Sequence, residues 1–216
     1  MSGVGIFVVL AVALFSTAGA AVAVIAVVVV RRDRRRRERL RAYAAQAGWW
    51  PITEPAGGLT QVPGPVADDA RSRRCKLAFG ARRGRREVWM VWHHWVESTG
   101  DSSTTHDLTR YYLWLGVGYP DIELRRRTVL GAFIKPVRGA GTGDAAFDKA
   151  VLVRPGDGGA QWRLLTPPLR EALLARRLPL FQITGGVLVT RYDDVPRIDN
   201  LDARADAICH LADALG

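Results

Sequence analysis

The run Glu87-Val88-Trp89-Met90-Val91-Trp92-His93-His94-Trp95-Val96-Glu97 carries acidic charge only at its two ends. With a period of two, Trp89, Val91, His93 and Trp95 fall on one side, and Val88, Met90, Trp92, His94 and Val96 on the other. Both sides are largely apolar, so the run reads as a central strand covered on both faces. Such a strand needs partners beside it and packed layers above and below.

The flanks supply them. Lys76 to Ala81 reads as a strand joined to the central one by a hairpin turn over Arg82 to Arg86, with Gly84 at the tight position. Ser98 to Asp107 reads as a polar loop, and Leu108 to Val117 as a third strand bearing Tyr111, Tyr112 and Trp114. Ile122 to Val129 alternates apolar and charged residues like an outer strand. Val137 to Asp144 is a glycine-rich loop, Phe147 to Val153 a short strand, and Gly158 to Leu165 helical. Thr166 with Pro167 opens a second helix. Leu180 to Thr184 and Val187 to Arg191 form a hairpin across Gly185-Gly186. Asn200 opens a last helix with a stripe of Leu201, Ala205, Ile208, Leu211, Ala212 and Leu215. Pro51 to Ala70, rich in Pro, Gly and Ala, reads mostly as loop, with a short extended piece at Leu59 to Val62. The sum over residues 49–216 is one α+β domain: an antiparallel sheet with helices packed on one face.

Upstream lies a different kind of sequence. Val4 to Val30 contains no charged residue, and its 27 residues suffice for a helix across a bilayer. Behind it come eight arginines, Arg31, Arg32, Arg34, Arg35, Arg36, Arg37, Arg39 and Arg41, against Asp33 and Glu38. This basic block reads as a juxtamembrane helix over residues 31–48. Its apolar stripe is Leu40, Tyr43, Ala44 and Ala47, its stop is Gly48, and its arginines are placed to meet lipid headgroups. Ala18-Gly19-Ala20 resembles a signal-peptide cleavage site, but no Lys or Arg precedes the apolar run. An uncleaved single-pass anchor is therefore expected. By the positive-inside rule the N-terminus lies outside and the domain in the cytoplasm. Gly19 and its small neighbours offer only a weak signal for helix pairing within the membrane.

The net charge of +10 invites a nucleic-acid reading, but the basic block supplies +6 of it. Only Lys76, Lys135 and Lys149 are lysines, a usage that fits GC-rich coding. No nucleic-acid partner is expected; the expected partners are the bilayer and an unidentified protein. Cys75 and Cys209 form no C-x-x-C pair, and a cytoplasmic domain needs no disulfide. Cys209 reads as a small buried residue.

Candidate chemistry is sparse. Ser98 to Asp107 holds Ser, His106 and Asp together, but triads are defined by geometry and no Gly-x-Ser-x-Gly elbow is present. His93 and His94 point to opposite faces of a strand, which does not suit a shared metal ion. Gly139 to Asp144 lacks both the dinucleotide fingerprint and the P-loop Lys. No cofactor is expected. Arg82 to Arg86, with Arg71, Arg73 and Arg74, forms a basic surface patch. An enzyme built on His93, His94 or His106, a hydrolase for instance, is the alternative to a binding module.

Phe147-Asp148 with Val151 and Val153, the run Leu164-Leu165-Thr166-Pro167-Pro168-Leu169-Arg170, Gly185-Gly186-Val187-Leu188-Val189 and the helix end Gly48-Trp49 together resemble an uncharacterised actinobacterial family of single-pass membrane-anchored proteins. Val151 stands where related chains often place an aromatic residue. The resemblance implies the anchor-plus-domain architecture and brings no activity with it.

Overall fold

A computed structural model describes residues 27–52, 62–100, 102–127, 141–155 and 163–216. The chain divides into two units, Met1–Tyr43 and Ala44–Gly216.

Helix α1 spans residues 27–46. Val27 to Val30, the first of the described residues, lie on it with exposed side chains. Most of the basic block follows on the same continuous helix, with Asp33 and Glu38 bridging four residues along to Arg37 (2.8 Å) and Arg34 (3.0 Å). Leu40 and Ala44 are buried and Tyr43 and Ala47 half-buried, which is the expected stripe. Residues 4–26 of the expected membrane span lie outside the described residues. Among the described residues no helix is long and apolar enough to cross a membrane.

The second unit is α+β, built on an eight-stranded antiparallel sheet. In chain order its elements are β1 (Trp49–Pro51), α2 (Gly64–Arg71), β2 (Cys75–Arg83), β3 (Arg86–Thr99), β4 (Ser102–Trp114), β5 (Ile122–Arg126), α3 (Ala145–Ala150), β6 (Val151–Pro155), α4 (Pro167–Leu174), β7 (Phe181–Thr184), β8 (Val187–Tyr192) and α5 (Ile198–Ala214). The sheet order is β1-β2-β3-β4-β8-β7-β5-β6.

β3 holds the central place its sequence demands. Val88, Trp89, Met90, Val91 and Trp92 are all buried although they alternate between faces. On one face α2 sets Val66 among Ala78, Trp89, Val91 and Tyr112. On the other lie Tyr111 and the last helix. Trp49 packs edge-on against Tyr111 and donates its indole N–H to Asp202 of α5 at 2.8 Å. The expectation of helices on one face therefore holds for α5 and fails for α2. Pro65 in the first turn and two buried residues, Val66 and Ala67, make α2 in a stretch whose composition reads as loop.

Other elements also differ from expectation. Ser98 to Asp107 is not a loop: β3 and β4 run on as a long hairpin, paired from Val88↔Leu113 to Thr99↔Ser102. Thr104, Thr105 and their neighbours suit a pleated ribbon as well as a loop. Phe147 to Val153 is not one strand. Asp144 accepts from the N–H groups of Ala146 and Phe147 and caps α3 there, so the strand starts only at Val151. β5 is an inner strand, because β6 pairs with its outer side. α5 starts at Ile198, and Asn200 reaches back to the Arg197 N–H at 3.0 Å from inside the helix. The β7–β8 hairpin turns at Gly185-Gly186 as expected, with φ of 56° and 77°. The expected extended piece at 59–62 and helix at 158–165 lie largely outside the described residues.

Candidate functional site

The three candidate histidines, His93, His94 and His106, go to separate places. His93 is buried under α2, its Nε2 3.4 Å from Asp69 Oδ2, a long contact. His94 faces the other side of the sheet, where Asp107 Oδ1 receives Trp92 Nε1–H and meets His94 Nδ1, each at 3.0 Å. His106 stacks on Trp95 out along the hairpin, with ring centroids 5.0 Å apart and Glu97 at 3.3 Å. Among the described residues, His93, His94 and His106 do not converge on one carboxylate. Among the described residues no cluster of His, Cys, Asp and Glu could hold a metal ion.

The hairpin tip from Arg82 to Arg86 is largely bound into the fold. Arg83 pairs with Asp202 and lies 5.2 Å over the Trp49 ring, Arg86 reaches Asp213 at 2.8 Å, and Arg82 reaches Glu87 at 3.1 Å. These contacts fasten the β2–β3 turn to α5. Arg74 lies 5.0 Å over Trp95.

The chemistry-bearing concavity lies elsewhere, on the α2 side of the sheet. Register places Tyr112 of β4 opposite Val189 of β8, Val189 opposite Gln182 of β7, and Gln182 opposite Glu123 of β5. This row forms the floor of a cleft of about 1130 Å3, whose walls include α2 and the connection from α4 to β7. Six arginines line it: Arg110, Arg125, Arg126, Arg176, Arg177 and Arg191. Asp69, Glu123 and Asp193 are its acids.

At the α2 end Asp69 gathers donors. Arg110 Nη1 donates to its Oδ2 at 2.5 Å, and the Tyr112 hydroxyl donates to the same oxygen. Burial alone would raise the Asp69 carboxyl, but the contact with His93 and the hydrogen bonds from Tyr112 and Arg110 outweigh it and hold it well below the usual carboxylate range. Burial pushes the Tyr112 phenol far up, and the Asp69 charge adds to this. Cys75, the register partner of His93, is a thiol pushed up to about 11, first by burial and then by the Asp69 charge. An ionised acid saturated with donors, a protonated phenol and a protonated thiol do not make a nucleophile with its base. Guanidinium groups over a floor of Tyr112, Val189, Gln182 and Glu123 give the cleft a basic lining.

The block Arg31, Arg32, Arg34, Arg35, Arg36, Arg37, Arg39 and Arg41 projects around α1, mostly exposed. Among the described residues only Arg34 and Arg37 of these have ion-pair partners. Sequence reasoning missed the cleft because its arginines come from β4, β5, β8 and the α4–β7 connection. No family model, no curated protein and no solved structure matches the chain.

Proposed function

We propose that this chain is a single-pass membrane-anchored protein, of the kind that the resembling actinobacterial family represents. Its Ala44–Gly216 unit serves in the cytoplasm as a non-enzymatic binding module at the inner face of the cell membrane. One observation carries this reading: an uncharged run of 27 residues is followed directly in the sequence by eight arginines, which lie on helix α1. Six of these arginines have no ion pair among the described residues. Polybasic helices of this kind gain about 1 kcal/mol per arginine at an anionic surface. The scattered histidines and the protonated Cys75 support binding over catalysis.

The test is extraction of membranes from cells expressing the full chain. The protein stays in the pellet after alkaline carbonate and leaves it only with detergent. Release by carbonate alone contradicts the anchor.

A further inference from the structure

The cleft arginines are unevenly paired. Arg191 with Asp193 at 2.8 Å and Arg125 with Glu123 at 2.5 Å are pairs whose arginines are more than half exposed, and exposed pairs hold weakly. Arg126 and Arg176 have no ion pair among the described residues. Arg110 and Arg191 are direct register partners on β4 and β8; Asp69 offsets the first from a half-buried position, and only the exposed Asp193 offsets the second.

Arg176 adds an independent observation. It follows α4 with φ 57°, the left-handed position that glycine ordinarily takes at a helix end. The motif is complete: Arg177 N–H donates to Ala172 O at 2.9 Å and Arg176 N–H to Leu173 O at 3.2 Å. An arginine here keeps its side chain at a backbone cost, and that side chain lines the cleft.

We infer that the cleft binds a phosphate ester carrying one or two phosphate groups. Arg176 is its direct ligand, and Arg125 and Arg191 exchange their carboxylate partners, Glu123 and Asp193, for phosphate oxygens. Each phosphate brings about −1.5 to −2 charge at pH 7, in the range of the two arginine charges left in the cleft once Asp69, Glu123 and Asp193, and Glu171 beside Arg177, are set against its six arginines. Guanidinium forks match phosphate oxygens two at a time. Tyr112 and Val189 offer the organic part an apolar floor. The ester has two possible sources, a soluble phosphorylated small molecule or a lipid headgroup. The inference rests on the cleft alone and does not depend on the tether.

The test uses the full chain in phosphatidylcholine nanodiscs, titrated calorimetrically with inorganic pyrophosphate. Saturable binding is expected. Arg191→Gln and Arg176→Gly each weaken it about tenfold or more. Replacing the eight α1 arginines by glutamine leaves it unchanged. Glycine suits the left-handed position, so Arg176→Gly keeps or raises the melting temperature, and its loss of binding is not a loss of fold. Nanodiscs containing phosphoinositide separate the sources: displacement of pyrophosphate identifies a headgroup, and undiminished binding a soluble ester. Absence of saturable binding, or binding indifferent to both substitutions, overturns the inference. Failure of the chain to co-elute with nanodiscs counts against the anchor and leaves the titration in detergent to decide the cleft.

Discussion

Asp69 of α2 and Arg110 of β4 meet at 2.5 Å, across 41 residues of chain, at the point where α2 crosses the sheet. The same carboxylate oxygen takes the Tyr112 hydroxyl. Removing Asp69 strands both donors. Asp69→Ala is expected to lower unfolding stability by about 2 kcal/mol, read from the urea midpoint. A loss below about 0.5 kcal/mol would mean that Val66 packing alone holds α2 in place.

The same acid sets an acid limb in the stability profile. Its carboxyl is depressed in the fold and ordinary, at about 3.9, in the unfolded chain. Between these values the unfolded chain binds more protons, so stability falls as pH falls. The Asp69 contribution is complete above the unfolded value and is lost progressively as pH drops through about 4 toward the lower folded value. In Asp69→Asn this limb of the denaturation profile flattens. An unchanged slope would show that other carboxylates account for it.

Adjacent tyrosines should respond with opposite sign. Tyr112→Phe deletes a donor to Asp69 and is expected to cost about 1 kcal/mol. Tyr111 lies on the other face, fully buried, and among the described residues its hydroxyl has no hydrogen-bond partner. Tyr111→Phe is therefore neutral or stabilising. Thermal melts of the two variants decide the matter, and equal destabilisation would contradict the face assignment.

Much of this fold was legible because it rests on local pattern. β3 shows as an apolar run on both faces, the β7–β8 hairpin as Gly185-Gly186, and α5 as a stripe from Leu201 to Leu215. What failed was also physical. α2 is eight residues long and buries only Val66 and Ala67, too few for a periodic signal, although Pro65 marked its first turn. Phe147, Val151 and Val153 alternate like a strand, and only the two hydrogen bonds to Asp144 convert their first half into a helix. The Asp69 cluster and the cleft are tertiary. Nothing in the spacing of Asp69, Arg110, Arg126, Arg176 and Arg191 announces that they converge.

Cys75 offers a chemical probe of that convergence. Its thiol is held up to about 11, by burial first and the Asp69 charge second. Alkylation by iodoacetamide should be slow at neutral pH and accelerate only as pH approaches that value. Asp69→Asn should shift the acceleration to lower pH. Rapid modification at pH 7 in the folded protein would contradict the described environment.

On the proposed topology the Ala44–Gly216 unit faces the cytoplasm behind an N-terminal anchor. Two reporters fused after Gly216 test it: alkaline phosphatase, active only outside the cytoplasm, and a green fluorescent protein that matures only inside. Membrane-associated fluorescence without phosphatase activity is expected. Active phosphatase with no fluorescence would contradict it.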